Sequence, residues 1–177
     1  KNPAAPAEVL PLLPHIHIDL RFEAGEQRIF LNGEDVSAAI RLPEASAASS
    51  QVSAIPQVRA FLLEQQRSLA RQYNVIMDGR DIGTVVLPDA TIKIYLTAAP
   101  EARARRRWLE QQQKGIAESY EEVLGAVKKR DYDDSHRAAA PLRQAEDAWL
   151  CDSTDLDFEG TVQAMLRYIR QRVGEPA

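Results

Sequence analysis

Three short apolar runs constrain this chain most: Val75-Ile-Met-Asp78, Thr91-Ile-Lys-Ile-Tyr-Leu96 and Ala148-Trp-Leu-Cys151. Each has the length of a strand, and helical periodicity precedes, separates or follows them. Val58, Phe61, Leu62 and Leu69 share a face after Pro56, and a helix over about 101–114 is bounded by Pro100 and Gly115. A further helix over 119–131 opens on Ser119 with Glu122, a capping box. Val162, Leu166, Ile169 and Val173 then form a stripe along 158–173. Apolar strands alternating with amphipathic helices predict an α/β fold with a parallel sheet.

The first third of the chain has a different rhythm. Residues 1–14 open on Lys-Asn-Pro-Ala-Ala-Pro and read as a proline-rich linker without an initiating Met, the start of an N-terminally truncated fragment. His15 to Phe22 alternate strictly, with Ile16, Ile18, Leu20 and Phe22 on one face, which is the mark of a half-buried antiparallel strand. A polar turn at Gly25, a strand Arg28–Leu31 and the tight-turn pair Asn32-Gly33 complete a small antiparallel β unit over 15–42. Residues 44–50 are small and polar, either a hinge or a short helix. The division expected is a linker to 14, an insert over 15–57 and a core over 58–177, with a helical lid at about 103–140.

Composition excludes several classes. With 177 residues, 45% apolar and 27% charged, the chain is one ordinary globular domain with a small insert. No apolar stretch is long enough to span a bilayer, and neither a membrane nor a signal peptide is expected. One cysteine, Cys151, suits a reducing, cytoplasmic setting and reads as an inert strand residue. Three histidines and that cysteine do not support a four-ligand zinc site; His15 and His17 stand either as solvated strand residues or as ligands. A net charge of -4 and a lack of interleaved aromatics argue against nucleic acid. Yet 17 of the 22 basic residues are arginine, suited to two-pronged grips on phosphate, although a biased genome would give the same excess.

Two constellations carry possible chemistry. Ligands of open parallel sheets lie beyond the carboxyl ends of the strands, where Asp78-Gly-Arg80-Asp81 and Cys151-Asp152-Ser-Thr fall. Asp78 could sit beside magnesium and nucleotide phosphates, or serve as a turn residue. Arg103 and Arg107 are one helical turn apart, and Arg130, Asp134 and Arg137 follow one stripe if their helix runs on. These are either solvated faces or a cationic flap able to hold a phosphate and a sugar hydroxyl.

Four segments together resemble the bacterial cytidylate kinases: Gly33–Arg41, Ser50–Arg59, Asp78–Ala90 and Lys129–Arg137. The resemblance covers the chain from about residue 15. It implies a P-loop nucleoside monophosphate kinase fold, monomeric when complete, that moves the γ-phosphoryl of ATP-Mg2+ onto CMP or dCMP. It also implies that Ser50, Arg59 and Asp81 read cytosine, that Arg130 and Asp134 hold the sugar, and that Arg80 and Arg137 hold the acceptor phosphate. Arg103 and Arg107 resemble the lid arginines that close over the transferring group, and Asp78 would meet magnesium only through bound water. Cytosine presents an N4 donor beside two acceptors, which a carboxylate and an arginine complement.

The chain departs from that family in one respect. A P-loop needs G-x-x-x-x-G-K-[ST], and no Gly-Lys pair occurs in these residues. Without the P-loop strand, runs 75–78 and 91–96 are expected to lack the strand between them, leaving unpaired sheet edges. The expected consequence is an incomplete enzyme, inactive by itself. The alternative is a catalytically dead nucleotide-binding or interaction module.

Overall fold

The computed structural model describes residues 2–136 and 140–174. It consists of two compact units, residues 1–75 and 76–177.

In the first unit, helix α1 (Pro6–Val9) continues into a 3-10 turn over Leu10–His15. This corrects the linker expectation. Proline's fixed φ suits a first helical turn, and Val9 buries itself with Ile55 and Val58, backed by Leu10, Leu13 and Val52. An antiparallel sheet follows: β1 (Ile18–Glu23), β2 (Glu26–Leu31) and β3 (Glu34–Asp35), in that order. Its register pairs Leu20 with Ile29 and Glu23 with Glu26. The Ala24-Gly25 and Asn32-Gly33 turns both use positive φ, and the Asn-Gly turn falls where it was expected. His15 belongs to the 3-10 turn rather than the strand, because Pro14 interrupts the ladder pattern there. The small polar stretch is helical, α2 (Pro43–Val52), and α3 runs from Pro56 to Gln72. Helix α3 falls within the first unit, not with a core beginning at residue 58.

The second unit holds a parallel pair, β4 (Ile94–Thr97) and β5 (Trp149–Asp152), with Ile94 opposite Trp149 and Thr97 opposite Asp152. Between them lie α4 (Pro100–Gln113) and α5 (Tyr120–His136), and α6 (Phe158–Val173) follows. The capping box forms as read: the Ser119 N–H and Oγ donate to Glu122 Oε2, and the Glu122 N–H donates to Ser119 Oγ. Gly115 ends the α4 segment at φ 73°. Ala104, Val123 and Val127 form the core of an antiparallel α4–α5 hairpin, closed by Trp108, Tyr120 and Leu124. Trp149 stacks on Tyr168 of α6 with ring centroids 4.6 Å apart.

The expected third parallel strand is absent. Residues 75–78 are not strand, and Ile76 is fully exposed. A strand exists only through its ladder, and no described strand pairs with this run. Among the described residues no helix is long and apolar enough to cross a membrane.

Candidate active site

Several polar and charged side chains gather where β4 and β5 end. There the Ser153 N–H donates to Thr97 O at 2.8 Å, and the Ala99 N–H donates to Thr154 Oγ1 at 2.8 Å. The Thr154 hydroxyl in turn donates to Asp152 and holds that carboxyl below the usual carboxylate range. Arg106 donates to the carbonyls of Ser153, Thr154 and Leu156, so a guanidinium from α4 shapes the loop after β5.

Asp78-Gly-Arg-Asp81 leads into one wide helical turn over Ile82–Val86, where Asp81 O accepts from the Val86 N–H and Ile82 O from the Leu87 N–H. Such turns spaced by five residues are rare, and they recur at functional sites. The Ile82 side chain packs closely over Gly79. A Cβ on Gly79 would stand 2.8 Å from Ile82 Cγ1. Asp78 is exposed, and Asp81 is half-buried at the start of the turn.

Arg80 reaches 54 residues along the chain, its Nε donating to Asp134 Oδ2 at 2.6 Å. Arg130, one turn before Asp134 on α5, places its Nε 4.0 Å from the same oxygen. Asp134 side-chain exposure is 21% against 41% for Arg80, so the carboxylate is the shielded centre of a cationic pair.

Arg103 lies deeper in the hairpin than the flap picture suggests. Its two terminal nitrogens donate to both oxygens of Asp131 at 2.8 and 2.6 Å, and its Nε donates to Ala98 O at 2.9 Å. That grip raises the Arg103 pKa and lowers that of Asp131, to which the charges of Arg80 and Arg130 also contribute. Arg107 is exposed and enters no hydrogen bond or ion pair among the described residues.

The structure thus brings together Arg80, Arg130 and Asp134, with Arg103 on the same hairpin. Ser50 on α2 and the half-buried Arg59 in the first turn of α3 belong to the first unit. Arg137 lies outside the described residues. Sequence reading overlooked Asp131 and passed over Arg106. A signal for Asp131 existed: Val123, Val127 and Asp131 are spaced at one-turn intervals, so a carboxylate continues the buried stripe of α5 and needs a partner.

A parallel strand pair with charged and polar groups beyond its carboxyl ends is the place where open α/β sheets bind their ligands. Comparison with known proteins makes the assignment specific. The family model described as cytidylate kinase matches residues 4–171. A cytidylate kinase of Caldicellulosiruptor bescii is 48% identical over 169 residues, covering 94% of this chain and 75% of its own. That of Mannheimia succiniciproducens is 45% identical over 167 residues, covering 94% and 74%. That of an Enterobacter species is 44% identical over 170 residues, covering 96% and 75%. This chain belongs to the cytidylate kinase family.

Proposed function

We propose that the chain carries the acceptor site and helical lid of an ATP-dependent kinase acting on CMP or dCMP. The observation that carries this is the Arg80–Asp134 pair with Arg130 beside it, which joins the turn at residues 78–81 to α5. A monophosphate carries a dianion and a sugar with hydroxyl groups, and this cluster offers cations for the first and a carboxylate acceptor for the second. Arg80 and Arg137 take the acceptor phosphate, and Arg130 and Asp134 the sugar. Ser50, Arg59 and Asp81 read the base: the Asp81 carboxylate accepts from the cytosine N4 amino group and repels the uracil O4. Arg107 serves the transferring phosphoryl group, and Arg103, engaged by Asp131 and the Ala98 carbonyl, serves it by holding the helix that carries Arg107.

Magnesium fits this donor set in one way only. Among the described residues no three His, Cys, Asp or Glu side chains cluster to hold a metal ion. A single exposed carboxylate such as Asp78 suits Mg2+, which keeps several waters and is held largely by substrate phosphates. When bound with ATP, the ion neutralises charge developing on the phosphates.

These 177 residues contain no Gly-Lys pair to cradle the γ-phosphate. By themselves they are expected to bind the acceptor nucleotide and to transfer no phosphoryl group. A coupled assay with CMP, ATP and magnesium tests both statements. The natural full-length protein should turn over CMP at roughly 1–100 per second, and the 177-residue polypeptide should show no turnover. Turnover by the polypeptide at that rate would contradict the proposed inactivity. Lack of CMP phosphorylation by the full-length protein would favour an inactive nucleotide-binding module.

A further inference from the structure

We propose that Asp131 is a positioning residue: by its two-pronged grip on Arg103 it pins α4 and α5 to the end of β4, so that the hairpin turns as one body. The geometry of a single guanidinium carries the inference. Three of its nitrogens are engaged at once, two with Asp131 on α5 and Nε with the Ala98 carbonyl just after β4. Ala98 is buried, and its neighbour Ala99 is bonded to Thr154 after β5. One side chain therefore joins two helices to the strand end at which ligands of parallel sheets lie.

The pin divides the arginines of α4 by role. For Arg103 to reach a ligand it would have to leave all three acceptors, and the half-buried Asp131 would lose its partner. Arg106 is likewise committed, to the carbonyls of the loop after β5. Arg105 and Arg107 have no such tie among the described residues, so they are the exposed α4 arginines able to meet an incoming phosphate, Arg107 being the one that the family resemblance singles out. A cation reaches a transferring group with useful precision only if its backbone is held, and misplacement by about 1 Å can cost roughly a hundredfold in rate. Asp131 supplies that hold without touching the nucleotide. The kinetic part of this inference rests on the kinase reading above; the mechanical part does not.

The test uses Asp131→Asn, which keeps the shape and removes the charge, and Asp131→Glu, which keeps the charge and lengthens the arm. Amide hydrogen exchange on the purified chain should quicken in Asp131→Asn over residues 98–103 and along α4, with β5 unchanged. In the natural full-length protein, kcat should fall roughly ten- to hundredfold with the KM for CMP within about twofold, and Asp131→Glu should recover part of the loss. Exchange equal to the parent in a folded Asp131→Asn chain would overturn the pin. Faster exchange with kcat unchanged, or a matching rise in KM, would overturn the positioning role. If Asp131→Asn fails to fold, Asp131→Glu decides by the same two readings. Should the parent phosphorylate no CMP at all, the kinase reading fails while the exchange experiment still tests the pin.

Discussion

The α4–α5 hairpin and the segment from Val75 to Val86 differ in where their information lies. The hairpin closes on itself: a capping box, a glycine stop, a buried Ala104–Val123–Val127 core and the Arg103–Asp131 fork all arise between Pro100 and His136. The Val75–Val86 segment has an apolar run and a Gly-Arg-Asp turn, but its first half finds no described strand to pair with. Helical signals need only neighbours a few residues away, whereas a strand needs a partner that can lie anywhere in the chain.

The largest expected effect on stability falls on the second region. Gly79→Ala would bring a Cβ within 2.8 Å of Ile82 Cγ1, and relieving that contact should cost about 1–3 kcal/mol. Urea unfolding measures it, and an unchanged midpoint would show that the turn over 78–86 yields without strain. In the hairpin, Ser119→Ala removes the hydroxyl half of a formed capping box. It should cost about 1 kcal/mol in the same measurement, with the loss localised to the first turn of α5 by hydrogen exchange.

A smaller effect is tied to pH. The Arg103 hydrogen bonds hold the Asp131 carboxyl below its ordinary value of 3.8. A depressed carboxylate contributes stability that is present above the unfolded value and lost as pH falls through the folded one. The parent should therefore exceed Asp131→Asn in thermal stability at pH 7, by less than about 1 kcal/mol because both partners are more than a third exposed. The gap should close below about pH 4, and a gap that widened on acidification would reverse the sign of the account.

What was legible in the sequence follows the same division. Helices α3 to α6, both hairpin turns and the capping box were readable because each is written in adjacent residues. The helical start of the chain was not, since only the burial of Val9 against Ile55 and Val58, remote in sequence, overrides its proline-rich appearance. The missing partner of run 75–78 was legible from the lack of a P-loop strand, but not that the run would then hold no strand conformation at all. Within the site, spacing put Arg130 and Asp134 on one stripe, but no local pattern joins Arg80 to Asp134 across 54 residues. The Arg103 fork was concealed for a similar reason: arginine is usually solvated, and only the carboxylate on the buried stripe of α5 marked its partner.

Base recognition by Asp81 is the claim on which the functional account turns. The direct measurement is the ratio of kcat/KM for CMP over UMP in the natural full-length protein, parent against Asp81→Asn. An asparagine keeps an oxygen for the cytosine N4 amino group but loses the charge, and it can turn its own amide toward the uracil O4. The preference for CMP should narrow by about 1–3 kcal/mol, roughly five- to hundredfold. A ratio unchanged by the substitution would confine Asp81 to shaping the turn over 82–86 and remove it from the nucleotide.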